Sequence, residues 1–146
     1  MRSTANSEVF VDTWGWVALG YRQDNCHQQV TEIYRTLRSA NILLHTSDYV
    51  LDEVMTLLFR REVFAEAVRF MEGIFAAAEL RQLQIHRVTS EYFAAAWRLR
   101  MQYQDKPLIS FTDLTSMVIM RSQGLQTVLT QDEHFIQVGL GFSRLP

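Results

Sequence analysis

Short apolar segments without alternating polar residues are the feature that most constrains the fold. The segment 41–45 carries three apolar residues in succession, and such continuity is typical of a strand that is covered on both faces of its sheet. Two more short apolar segments, 9–12 and 127–130, are also predicted to be strands, with 84–88 as a further strand and 142–145 as a final edge strand. Helical periodicity separates the strands, and this alternation predicts an α/β fold with a parallel sheet of four to five strands.

Capping residues set the boundaries of the helices. Ser47 and Ser110 are each followed by apolar residues at helical spacing, which predicts a helix N-terminus at both. The dipeptide Arg60–Arg61 is predicted to mark a bend between two consecutive helices, and Gly124 is a natural C-cap. The helix that begins at Ser47 therefore starts directly after a predicted strand, where the side chains of a parallel sheet meet ligands, whereas the helix at Ser110 follows a predicted loop.

Composition indicates one ordinary globular domain. The chain has 146 residues, a formal charge of −2 and a single cysteine, Cys26. We expect a single domain over 1–146, with residues 1–7 as a flexible lead-in. One cysteine excludes an internal disulfide and suits a reducing compartment. No apolar stretch has the length of a membrane span, so the sequence predicts a cytoplasmic protein.

Four acidic residues stand at the positions where an α/β fold gathers ligands. Asp12 ends the first apolar segment, and Asp132 follows the fourth. Glu53 interrupts the apolar face of one helix, and Asp113 lies in the first turn of another. Carboxylates that converge repel one another unless a cation lies between them, and a hard divalent ion such as Mg2+ is the usual partner. The four acids therefore predict a metal site.

Each acid also has a purely structural explanation. Asp12 could N-cap the helix that follows it, and Asp113 matches a capping box that begins at Ser110. Asp132 lies in a second such pattern, T-Q-D-E. Glu53 is harder to explain in this way, because a carboxylate on an apolar face needs a partner. A buried ion pair with an arginine is the alternative for that residue.

Other catalytic patterns are absent from the sequence. The four histidines show no metal-ligand spacing such as H-E-x-x-H, and Cys26 has no visible partners for nucleophilic catalysis. No nucleophile elbow, P-loop or dinucleotide fingerprint occurs. A phosphoacceptor receiver domain also clusters acids at strand ends, but it needs adjacent acids after the first strand and a lysine at a late strand end. Lys106, the only lysine, lies in a predicted loop.

The acids and their flanking residues together resemble the PIN domain, the ribonuclease fold of VapC-type toxins in bacterial toxin–antitoxin pairs. The matching segments cover most of the chain in the family's order: V-F-V-D-T-W-G-W-V-A-L, D-Y-V-L-D-E-V-M-T-L-L, I-S-F-T-D-L-T-S-M-V-I-M-R and V-L-T-Q-D-E-H-F. The resemblance implies a three-layer α/β/α sandwich around a parallel sheet, in agreement with the fold class predicted from the apolar segments.

The resemblance also implies roles for individual residues. It assigns four carboxylates to catalysis and to binding of Mg2+ or Mn2+: Asp12, Glu53, Asp113 and Asp132. Thr13 and Thr130 match supporting polar positions. Trp14 departs from the pattern, because many relatives carry a small residue there. Trp14 could narrow the mouth of the pocket or point away from it.

The function implied by the resemblance is a Mg2+-dependent endoribonuclease that acts as the toxin of a toxin–antitoxin pair. RNA would be the substrate, and a cognate antitoxin and a second copy of the chain would be the protein partners. The alternative is a non-catalytic PIN-like module for protein binding or dimerisation. Five arginines are predicted to contact RNA phosphates: Arg60, Arg61, Arg98, Arg100 and Arg121.

Overall fold

Five parallel strands form the centre of the protein. A computed structural model describes residues 8–146, and the predicted flexible lead-in, residues 1–7, lies outside this range. The strands are β1 (Val9–Val11), β2 (Leu44–Ser47), β3 (Leu83–His86), β4 (Thr127–Leu129) and β5 (Ser143–Leu145). Their order in the sheet is β3-β2-β1-β4-β5, and every neighbouring pair is parallel. The predicted α/β/α fold class is confirmed.

Within residues 8–146, seven helices connect and follow these strands. They are α1 (Thr13–Gly20), α2 (His27–Ser39), α3 (Asp48–Arg61), α4 (Phe64–Glu79), α5 (Ser90–Gln102), α6 (Phe111–Gln123) and α7 (His134–Gln137). The predicted break after the arginine pair is confirmed, since α3 ends at Arg61. None of the helices within residues 8–146 has both the length and the apolar character needed to cross a membrane.

Helix capping follows the sequence closely. The Ser47 hydroxyl accepts a hydrogen bond from the Val50 N–H at 3.1 Å, and the Ser110 hydroxyl accepts one from the Asp113 N–H at 3.0 Å. Gly124 ends α6 with φ of 70°, a left-handed conformation that glycine adopts without steric cost. These caps fix the first turns of α3 and α6, the helices that carry Glu53 and Asp113.

The second strand begins later than its apolar residues predict. Residues 41–43 belong to the turn after α2, where Asn41 has a left-handed φ of 57°. The strand continues instead through Thr46 and Ser47, which are fully buried. Burial of the Thr46 hydroxyl is compensated, because it donates to the Val11 carbonyl at 3.1 Å and accepts from the Trp16 indole at 3.0 Å. Satisfied hydrogen bonds thus let polar residues extend the strand.

The strand order reverses at β1. The chain runs outward from β1 to β2 and β3, and then returns to place β4 on the other side of β1. The carboxyl ends of β1 and β4 therefore border the crevice where open α/β sheets bind ligands. Asp12 directly follows β1 and Thr130 directly follows β4, so both lie at this crevice.

Helix α1 packs unusually close to these two strands. A Cβ atom at Gly15 would lie 3.1 Å from the Leu129 carbonyl oxygen and 3.1 Å from Val11 Cγ1. A side chain at this position would push the helix and the sheet apart by a few tenths of an ångström, so glycine favours the close approach. The tight packing fixes the first turn of α1, which carries Thr13 and Trp14, above the crevice.

A pair of buried histidines lies across β2 and β3. His45 is 2% exposed, its Nδ1 lies 2.8 Å from His86 Nε2, and its Nε2 lies 2.6 Å from a Glu8 carboxylate oxygen. Burial, with a contribution from His45, lowers the pKa of His86 to about 4. Both histidines are buried and hydrogen-bonded, and His86 is the last residue of β3.

Candidate metal centre

Asp12 is buried at the bottom of the site. Its side chain is 4% exposed, and its Oδ2 accepts a hydrogen bond from the Thr130 hydroxyl at 2.8 Å. Its other oxygen, Oδ1, is buried and has no hydrogen-bond partner within residues 8–146. A buried carboxylate oxygen without a donor is costly. Asp12 therefore has one anchored oxygen and one that is open to a cation.

Thr130 connects the ends of the two central strands. While its hydroxyl donates to Asp12, the same oxygen accepts a hydrogen bond from the Asp132 backbone N–H at 3.0 Å. A threonine hydroxyl has a single proton, and Thr130 is fully buried, so both of its contacts are fixed by the fold. Thr130 thus orients Asp12 directly and sets the position of Asp132 through the backbone.

Glu53 has a hydroxyl as its partner. Thr13 in the first turn of α1 donates a hydrogen bond from its Oγ1 to Glu53 Oε1 at 2.8 Å. The alternative of an ion pair is not observed: across residues 8–146, the arginines that lie within 4.0 Å of a carboxylate pair with other acids. The hydroxyl leaves the negative charge of Glu53 available to a cation.

Asp113 combines the capping position with a buried carboxyl group. Its backbone N–H completes the Ser110 cap, and its side chain is 8% exposed. Burial, the negative charge of Asp12 and a hydrogen bond with Asp132 raise the pKa of Asp113 to about 9. Burial likewise raises the pKa of Asp12 to about 6. Without a bound cation, burial and the neighbouring negative charges therefore keep Asp113 protonated at neutral pH, whereas Asp12 is largely ionised.

Asp132 brings a histidine into the site. Asp132 Oδ1 accepts a hydrogen bond from the His134 backbone N–H at 2.9 Å and lies 3.0 Å from His134 Nδ1. Potential ligand atoms of Asp113, Asp132 and His134 lie within 4.8 Å of one another. His134 is not among the metal ligands predicted from the sequence, although its D-x-H spacing from Asp132 could have indicated it. Asp132 also precedes α7 rather than lying in its first turn.

All four predicted acids line a single cavity of about 460 Å3. Thr13 also lines this cavity, whereas the buried Thr130 lies beneath it and reaches Asp12. The remaining wall consists of Trp14, Val17, Asp24, Leu57, Arg61, Ser110 and Gln131. Trp14 therefore faces the acids, so of the two orientations considered from the sequence, the structure has the one toward the pocket.

The five predicted RNA-binding arginines are not equivalent. Arg61 lines the cavity with the acids, whereas Arg60, Arg98 and Arg121 are exposed and lie outside its lining. Arg100 instead holds the loop before α6, because its guanidinium donates to the carbonyls of Tyr103, Lys106 and Ile109 at 2.7 Å each. Arg100 therefore makes three hydrogen bonds inside the fold, which favours a structural role over the predicted contact with RNA phosphates.

The donor set fits a hard divalent cation. All four acids line one cavity. Within residues 8–146, the potential ligand atoms that lie within 4.8 Å of one another are those of Asp113, Asp132 and His134, so Asp12, with its unpaired Oδ1, and Glu53 stand outside this closest group. Oxygen ligands of this kind suit Mg2+ and Mn2+. His134 adds a nitrogen that Mn2+ tolerates better than Mg2+. Both the geometry and the raised pKa values favour a cation at this place.

Comparisons with known proteins agree with this architecture. The PIN domain family model matches residues 9–140. The chain is 32% identical over 134 residues to the 23S rRNA-specific endonuclease VapC20 of Mycobacterium tuberculosis, in both strain CDC 1551 and strain H37Rv, with 90% of this chain and 94% of the relative covered. The crystal structure of Mycobacterium tuberculosis VapC20, described as a Sarcin-Ricin loop cleaving toxin, superposes with a TM-score of 0.76 at 31% identity, covering 90% of this chain and 95% of that one. This chain belongs to the PIN domain family.

Proposed function

We propose that this chain is a metal-dependent endoribonuclease and the toxin of a toxin–antitoxin pair. The observation that carries the proposal is the convergence of Asp12, Glu53, Asp113 and Asp132 in one cavity, with Asp12 Oδ1 buried and unpaired. The similarity to a 23S rRNA-specific endonuclease over 90% of the chain supports RNA as the substrate and ribosomal RNA as the first RNA to test. We therefore also propose a cytoplasmic location, where ribosomal RNA would be accessible. The complete set of acids favours catalysis over a non-catalytic PIN-like module.

The proposed mechanism assigns the binding of Mg2+ or Mn2+ to the carboxylates. Asp12 and Asp113 would bind the ion directly, and Glu53 and Asp132 would bind it directly or through water. The bound ion would supply an activated water and would stabilise the charge that builds up on the phosphate oxygens. Mg2+ retains several waters in protein sites, so the four acids need not all touch the ion.

The chain's own residues would orient this assembly. Thr130 holds Asp12 in one rotamer through the 2.8 Å hydrogen bond, and Thr13 holds Glu53 in the same way. Partners that fix the orientation of metal-binding carboxylates tune the site as strongly as some ligands do. Arg61, on the wall of the cavity, would face the phosphate backbone of the RNA.

Divalent-dependent cleavage of RNA tests the proposed activity. We expect the purified chain to cut an oligonucleotide with the sequence of the Sarcin-Ricin loop when Mg2+ or Mn2+ is present, and EDTA to stop the reaction. The double variant Asp12→Asn, Asp113→Asn should be inactive but folded, because it retains the shape of both side chains. Cleavage by that variant, or cleavage by the wild type in EDTA, would contradict the mechanism.

An antitoxin peptide is the protein partner that we propose for a second cavity. This cavity, of about 390 Å3, lies between α1, α2 and α4, and its walls include Trp16, Tyr34, Phe70 and Ile74. Gly73 also lines it, and a Cβ at that position would meet nothing within 4 Å. An apolar cleft between helices suits an amphipathic helical segment. The exposed apolar side chains of α3 and α4, such as Phe64, support a homodimer that forms through these two helices.

Filling this second cavity tests the partner assignment. If the chain is a toxin, the product of a small reading frame beside its gene should copurify with it. We expect Gly73→Trp to weaken that complex by at least about 10-fold, since an indole would occupy the space meant for the partner. Ala76→Trp is the matched control, because Ala76 is exposed on the same helix and does not line the cavity. Equal binding by both variants would place the partner elsewhere.

A further inference from the structure

Trp14 is free to contact a ligand, unlike the tryptophan two residues later. Trp16 is 2% exposed, its indole N–H donates to Thr46 at 3.0 Å, and its ring packs edge-on against Phe70. Trp14 is only half-buried and lines the cavity of the acids. Within residues 8–146 its indole has no hydrogen-bond acceptor and its ring is in no aromatic pair. Trp16 is therefore a core residue, whereas Trp14 packs only partly against the core and also lines the cavity.

The wall of the cavity has an apolar zone between two zones that suit phosphates. One is the group of acids, acting through a bound cation, and the other is Arg61. Along α3, Glu53, Leu57 and Arg61 lie four residues apart, so all three face the cavity from one side of the helix. The rise of an α-helix separates Glu53 from Arg61 by roughly 12 Å along the axis. Leu57 lies between them, and α1 contributes Trp14 and Val17 to the same cavity. Along α3, the wall of the cavity thus changes from acidic at Glu53 to apolar at Leu57 and then to cationic at Arg61.

We propose that the Trp14 indole stacks on the nucleobase beside the phosphodiester that is cut, so that the site selects an unpaired nucleotide. This inference rests on the proposed ribonuclease function. With one phosphate at the acids and a neighbouring one near Arg61, the base between them meets the apolar zone. A base can lie on an aromatic ring only after it leaves its own stack and pair, as happens in loops and single strands. The indole N–H remains available to a base or sugar oxygen.

Binding to RNA with and without bases tests this assignment. The probes are labelled pentaadenylate and an abasic pentamer with the same phosphates, and the protein is the non-cleaving Asp12→Asn, Asp113→Asn variant with Trp14 intact. We expect this protein to bind pentaadenylate about 10-fold more tightly than the abasic probe, and Trp14→Ala to remove most of that preference. Trp14→Phe should retain it, because a phenyl ring also stacks. Trp97→Ala on the exposed face of α5 is the matched control and should change neither affinity.

The outcomes separate stacking from a steric role and from the nuclease proposal. If the protein with Trp14 intact binds pentaadenylate and the abasic pentamer equally well, the stacking proposal is overturned. This result needs no Trp14 variant. An equal change in both affinities on Trp14→Ala would also overturn it, since that is the result for a residue that only narrows the cavity. A Trp14-dependent preference for bases in a protein whose wild type never cuts RNA would support the stacking and overturn the proposed activity.

Discussion

Replacing Asp113 with asparagine is expected to lower RNA cleavage by on the order of 1,000-fold, the effect of losing several kcal/mol of metal-assisted catalysis. The same change should stabilise the metal-free protein. Burial and neighbouring negative charges raise the pKa of Asp113 to about 9, so the folded state pays to keep this carboxyl protonated at neutral pH. An amide of the same shape removes that cost, and we expect a gain of about 2 kcal/mol at pH 8.

Thermal unfolding in EDTA at pH 8 measures this stabilisation. A gain of that size corresponds to a rise in melting temperature of roughly 4–8 °C for a protein of this length. Asp52→Asn is the matched control, since Asp52 is exposed on α3 and should leave both activity and melting temperature unchanged. An Asp113→Asn protein that melts below the wild type would show that Asp113 has a structural role, and retained cleavage would remove it from the catalytic residues.

The stability of the metal-free protein is expected to fall as the pH rises from 7 to 9. Asp12 and Asp113 have folded pKa values of about 6 and about 9, above the pKa of 3.8 that an aspartate has in an unfolded chain. The folded state therefore binds more protons than the unfolded state between these limits, so stability decreases with pH. The stability that these two protonated carboxyl groups contribute is fully present below pH 3.8. It is lost as the pH rises through 6, for Asp12, and then through 9, for Asp113.

Melting curves in EDTA and in Mn2+ at each pH check this dependence. His86 acts in the opposite direction below pH 6.5, because burial lowers its pKa to about 4, and the range from 7 to 9 avoids that effect. We expect Mn2+ to raise the melting temperature more at pH 9 than at pH 7, since metal binding displaces the retained protons. The Asp12→Asn, Asp113→Asn protein should show neither dependence. An equal effect of Mn2+ on both proteins would place the ion outside this site.

Local sequence signals predicted the helix boundaries well and the strand boundaries less well. Ser47, Ser110 and Gly124 set helix boundaries because capping is decided by the neighbouring backbone, which the sequence contains. The start of β2 was predicted too early, because the apolar residues 42–43 belong to a turn. Its actual continuation through Thr46 depends on hydrogen bonds to Val11 and Trp16, which are distant in the chain. Periodicity cannot detect such partners.

The sequence by itself determined that this is an α/β chain with a parallel sheet and four acids at its ligand-binding positions, because strand continuity, helix periodicity and capping are local properties. Only the tertiary structure decided how those acids are held. Thr130 reaches Asp12 across 118 positions of sequence and Thr13 reaches Glu53 across 40, and no local pattern encodes either contact. The return of β4 to the side of β1 creates the crevice, and the burial there raises the pKa values of Asp12 and Asp113. Likewise, the packing of α1 through Gly15 turns Trp14 toward the acids and Trp16 toward the core.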